Sequence, residues 1–172
     1  MPTILTHAVL PLAAGIALGP SRIAKPVLIT GMVLAMLPDA DVIGFKLGVD
    51  YADQFGHRGA SHALLVAAVV AAAVTAIMRP ANAQLIFAFL FASMASHGIL
   101  DAFTSGGLGP ALLWPFSDAR YFAAVTPIRV SPIGVGFFSA RGVLVIVSEA
   151  LWVWMPVSIT ALAGWAVLRQ KT

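Results

Sequence analysis

The chain has 172 residues, 60% apolar and 10% charged, with a mean hydropathy of +0.95. An ordinary soluble domain is about 25% charged, so this composition disfavours a water-soluble globule, excludes disorder and suits the bilayer as solvent. With no cysteine, there is neither a disulfide nor a thiolate metal site, and ten Lys and Arg against seven Asp and Glu leave +3 with no basic run for a nucleic acid to follow.

Five apolar stretches predict an all-α, polytopic membrane bundle of about five helices, forming one domain over residues 1–172. The first covers residues 3–18; it lacks the basic start of a secretory signal and contains His7 and Pro11, so it reads as a retained membrane helix. The second covers residues 23–37 and is expected to stop at Pro38, since proline cannot continue the hydrogen-bond ladder. Each reaches only roughly 22 to 24 Å, short for a full crossing. The third, residues 63–78, ends before Pro80, and the fourth, residues 83–103, is long enough to cross. The fifth, residues 142–168, contains Pro156, which predicts a kink, and is followed by Arg169, Gln170 and Lys171.

Two connections are short, residues 20–22 and 79–82, and two are long, residues 38–61 and 104–141. If each stretch crosses once, the N-terminus and both long connections share one membrane side. Basic residues divide evenly: Arg22, Lys25, Arg79, Arg169 and Lys171 on one side, and Lys46, Arg58, Arg120, Arg129 and Arg141 on the other. Giving long loops and functional arginines less weight puts the short connections in the cytoplasm.

The four histidines cluster with acids in this path. Thr6-His7 opens the first helix and Pro38-Asp39-Ala40-Asp41 follows the second; His57-Arg58-Gly59-Ala60-Ser61-His62 precedes the third, and His97 through Asp101 closes the fourth. All fall on the long-connection side, joined by Glu149 two turns into the fifth helix. Ionisable groups at membrane depth are costly unless they pair, meet water or bind an ion. His97 and Asp101, spaced i and i+4, share a helix face. Asp39 and Asp41 can both turn inward from an extended loop, and His57 and His62 share a site if the third helix starts near Ser61, a good N-cap residue.

Imidazole with carboxylate and no thiolate suits zinc, manganese or iron. Asp39, Asp41, His62, His97 and Asp101 are the candidate metal ligands, with His7 and His57 as further ligands or general acid/base groups. Having more than four candidates allows a two-metal site. Arg58 suits either a grip on a phosphate oxygen or an ion pair holding Asp50 or Asp53. Glu149 reads as a carboxylate orienting a ligand histidine or as a helix N-terminal acid. In the last long connection Trp114, Phe116, Tyr121 and Phe122 suit an aromatic belt, and Arg120 and Arg129 suit an anionic headgroup.

These motifs in this order resemble the family of LexA-regulated, inner-membrane-associated metal-dependent hydrolases. The likeness is carried by Thr6-His7, Leu37 to Asp41, His57 to His62, Ser96 to Asp101 and the Trp-Pro-Phe-Ser segment Trp114 to Ser117. The resemblance implies an integral protein of the bacterial inner membrane with a metal-hydrolase site. The corresponding expectation is hydrolysis of a phosphoester or other ester, with a lipid or lipid-linked phosphate as the substrate class. The alternatives are a proton or metal transporter and a noncatalytic membrane protein with a structural metal.

Overall fold

The computed structural model describes residues 1–132 and 134–169. Helix α1 (Ile4–Leu18) is followed by α2 (Lys25–Met36), a 3-10 stretch (Leu37–Leu47), a short 3-10 turn (Ala60–His62), α3 (Leu64–Met78) and α4 (Ala83–Ala102). A further 3-10 turn (Gly134–Phe137) leads into α5 (Ala140–Glu149), a π turn (Ala150–Trp154) and α6 (Met155–Arg169). No strand occurs among the described residues; the single isolated bridge pairs Thr104 with Ile128. Gln170 and Lys171 lie outside the described residues.

Three segments, Lys25–Leu47, Ala83–Ala102 and Ala140–Leu168, are long and apolar enough to cross a membrane, while Ile4–Leu18 and Leu64–Met78 are shorter apolar helices. Their outer faces carry Leu5, Ile29, Val69, Ile77, Ile159 and Leu162, each at least half exposed, as a lipid-facing surface requires. Inside, Val27 and Leu34 of α2 meet Ala67 and Ala71 of α3 and Phe89, Leu90 and Met94 of α4. The two alanines let α3 lie close to α4.

Three expectations about boundaries are corrected. Pro38 does not stop the helix: it sits in the first turn of a 3-10 stretch, where the ladder is already changing register, and the helical path runs on to Gly48, whose φ of 81° ends it. Asp39 and Asp41 therefore lie on a helical turn, not an extended loop. The last rod is also perturbed one turn before Pro156. The Met155 N–H reaches back five residues to the Ala150 carbonyl, and this widened turn accommodates the missing proline donor. Finally, α3 starts at Leu64 with Ala63 at its cap, so Ser61 is free for other work.

The ends of the bundle sort as the alternating path requires. Helix α6 runs alongside α1 in the same direction: Trp154 Nε1 donates to Thr6 Oγ1 at 2.8 Å, and Gly164 packs near Ala17 at the other end. The long connections fold over the Thr6 end. Leu64 N donates to Leu112 O at 3.0 Å, Ser131 N to Met1 O at 2.9 Å and Arg129 N to Ser148 Oγ at 3.0 Å.

Candidate metal centre

At that end four helical elements deliver five polar side chains to one buried point. Asp39 comes from the 3-10 stretch, His62 from the turn before α3, His97 and Asp101 from adjacent turns of α4, and His7 from the first turns of α1. Ligand atoms of Asp39, His62, His97 and Asp101 all lie within 4.8 Å of one another, and all four residues are buried. Gly98 permits the approach of the turn to α4. A side chain there would begin 2.7 Å from the His62 carbonyl oxygen.

The tautomers follow from the partners. His97 Nδ1 lies 2.7 Å from the Ala35 carbonyl, which only accepts, so Nδ1 carries the hydrogen and neutral Nε2 is a bare lone pair. His62 Nδ1 lies 2.9 Å from Ser61 Oγ and 3.3 Å from Asp41 Oδ2. Since Ser61 Oγ gives its own proton to Asp41 Oδ2 at 2.6 Å, His62 Nδ1 is the donor there as well. The two Nε2 atoms then face each other at 3.0 Å. Asp39 Oδ1 stands 3.3 Å from His97 Nε2, and Asp101 Oδ2 stands 3.3 Å from His62 Nε2. Neither carboxylate receives a hydrogen bond on either oxygen.

Two facing lone pairs beside two carboxylates repel unless something positive lies among them. Four ligands about 2.0 to 2.2 Å from a tetrahedral cation stand roughly 3.3 to 3.6 Å apart. The three nearest pairs here stand at 3.0 to 3.3 Å, His62 Nε2 and Asp39 Oδ1 at 3.9 Å, and the whole set lies within 4.8 Å. A proton is the other positive occupant. Burial alone would pull the His62 imidazole down, but the Asp101 and Asp41 carboxylates beside it override burial and raise it to about 9.

The remaining candidates take different places. Asp41 is not in the four-residue cluster: its oxygens accept from His57 Nδ1 at 2.6 Å, Ser61 Oγ, the Arg58 N–H at 3.2 Å and His62 Nδ1. Asp41, His57 and His62 also bring ligand atoms within 4.8 Å of one another, but these hydrogen bonds occupy the carboxylate, which instead orients His62 from behind. His57 is turned to Asp41, with its ring edge-on to Tyr51 at 5.4 Å and to His62 at 5.7 Å, so it packs against the cluster while its Nδ1 engages Asp41.

Arg58 is fully buried and its backbone is left-handed, with φ of 65°. Its Nε sits 2.9 Å from Asp101 Oδ2, an ion pair too poorly aligned for a hydrogen bond. Its other nitrogens donate to Gly106 O, Leu108 O and Thr104 Oγ1 at 3.1, 2.7 and 2.8 Å. The expected partners Asp50 and Asp53 are not used. With its donors so committed, Arg58 positions Asp101 and fastens the last long connection rather than presenting a free fork to a phosphate. Arg120 staples the same region, donating to the carbonyls of Arg58, Ala52 and Asp53. Arg129 is exposed, as are Phe116 and Phe122. Glu149 touches no histidine and sits at the C-terminal end of α5, accepting from Thr3 N, Thr3 Oγ1 and Thr6 Oγ1, so it secures the start of α1. Thr3 and Ser61 carry no metal-ligand signal of their own, although Ser61 lies inside the histidine motif.

The model of the YdjM inner membrane protein family matches residues 1–172. The chain belongs to the YdjM inner membrane protein family. It is also 46% identical over 160 residues to inner membrane protein YbcI of Escherichia coli (strain K12), covering 91% of this chain and 92% of the relative. No solved structure matches. Together with three segments able to cross a membrane, this makes the chain an integral protein of the bacterial inner membrane.

Proposed function

We propose that this YdjM-family protein is a membrane-embedded, metal-dependent hydrolase of a phosphoester or other ester, with Asp39, His62, His97 and Asp101 holding a divalent metal, zinc before manganese or iron. The observation that carries the reading is the pair of Nε2 atoms facing each other 3.0 Å apart between two carboxylates that no donor satisfies. Four protein ligands fill a tetrahedral cation, so hydrolysis would require the ion to accept water as a fifth ligand or in place of one residue; a dication so opened would lower the pKa of water from about 15.7 towards 7. The chain's own residues supply the rest. Asp41 fixes the His62 tautomer, the Ala35 carbonyl fixes that of His97, and Arg58 holds Asp101 while drawing residues 104–108 over the centre.

The substrate class is a lipid or lipid-linked phosphate. An apolar cleft of about 430 Å³ lies between α1, α4 and α6, lined by Leu10, Pro11, Phe89, Ser96 and Val157 among others. Ser96 directly precedes His97, and Leu10 and Pro11 lie one turn beyond His7. An acyl tail in the cleft would therefore set its head beside the centre. Transport receives no such support: the midspan hydroxyls of Thr30, Thr75 and Ser93 donate to Pro26 O, Ala71 O and Phe89 O in their own helices.

The test is elemental analysis of detergent-purified wild type and His97→Ala, paired with turnover of phosphate and carboxylic esters before and after chelation. Bound metal lost in the variant, with hydrolysis lost on chelation, is the expected result. Folded wild type without metal would overturn the reading; metal without turnover would leave a structural centre.

A further inference from the structure

We propose a second cation position in the same centre, held by His7 and by the oxygens of Asp39 and Asp101 that face away from His62 and His97; this rests on the reading of the four-residue cluster as a cation site. The two carboxylates are divided. Asp39 Oδ1 faces His97 Nε2 at 3.3 Å and His62 Nε2 at 3.9 Å, whereas Oδ2 faces His7 Nε2 at 3.9 Å. Asp101 Oδ2 faces His62 Nε2 at 3.3 Å, whereas Oδ1 faces His7 Nε2 at 3.8 Å. Each acid thus turns one oxygen to each side, as a carboxylate bridging two ions does.

His7 is the second observation. It is fully buried, and neither ring nitrogen has a hydrogen-bond partner. Its ring lies flat on His97, centroids 3.6 Å apart and planes 13° from parallel, which fixes its direction without engaging either nitrogen. A buried imidazole so placed has given up its hydrogen bonds to water and gains nothing in return unless a partner reaches one of its nitrogens. Separations of 3.8 and 3.9 Å are too long for hydrogen bonds, which end near 3.2 Å, but fall under the roughly 4.0 to 4.4 Å that separates two ligands on opposite sides of one cation. Charge allows it as well. Asp39, Asp41, Asp101 and Arg58 sum to −2, so one dication neutralises the centre and a second leaves it positive, complementary to an anionic phosphoester.

Full-length protein in detergent, stripped and reloaded with Mn²⁺, separates the outcomes by metal content and by electron paramagnetic resonance. The expected result is two ions per chain with a spin-coupled signal in wild type, and one ion with an isolated signal in His7→Ala and in the closer isostere His7→Asn. One ion in wild type, or two in both variants, would overturn the second position while leaving the first. No ion in wild type would overturn both.

Discussion

Asp41→Asn isolates the carboxylate behind His62 from the ligands themselves. The exchange keeps volume and removes one charge and one acceptor from a group that takes hydrogens from His57, Ser61, the Arg58 backbone and His62. If the Asn oxygen stays on the Ser61 and His62 side, the His62 tautomer survives and only its basicity falls; if the amide NH2 turns there, it meets a donor and His62 loses its orientation. Losses of this kind weaken metal binding by about 10- to 100-fold, or roughly 1.4 to 2.8 kcal/mol. Competition against a chromophoric chelator for Zn²⁺ reads this directly, with Asp50→Asn, an exposed acid outside the cluster, as the control. Affinity within twofold of wild type would refute the orienting role. A loss as large as that of His62→Ala would make Asp41 a ligand instead.

Two further outcomes concern the same geometry. Because His62 in the metal-free protein is raised from 6.5 to about 9, its share of stability is complete below about pH 6.5 and is lost as pH rises through about 9. Metal must displace that proton, so Zn²⁺ affinity should climb about tenfold per pH unit until about 9 and then level; a pH-independent affinity would contradict this. Gly98→Ala places a methyl 2.7 Å from the His62 carbonyl and 2.9 Å from Leu112 Cδ2. It should cost roughly 1 to 3 kcal/mol, lower Tm by about 2 to 12 °C and weaken metal binding, so unchanged thermal unfolding and metal content would show that the contact does not matter.

What the sequence made legible followed from spacing and from apolar length. Five apolar stretches led to the helices, and the i, i+4 pair His97 and Asp101 lay on one face because α4 is regular there. Asp39 and His62 were recognisable as site residues from their motifs. Their division from Asp41 and His57 was not, because it depends on a 3-10 turn that separates Asp39 from Asp41 and on the irregular path before α3. The Arg58 partner was missed for a similar reason: Asp101 is 43 residues away, while Asp50 and Asp53 are close in sequence but not in space. Glu149 read as an acid near the site. Its true contacts, Thr3 and Thr6, lie at the far end of the chain, where no local pattern points to them.

The Glu149 contact also orders events during synthesis. Every proposed ligand has been translated by Asp101, yet the first helix, which carries His7, is tied at its start by Glu149 and Trp154, which leave the ribosome about fifty positions later. The element made first is thus fastened last. A nascent chain halted before residue 149 would hold every ligand in sequence but lack the clasp that steadies His7.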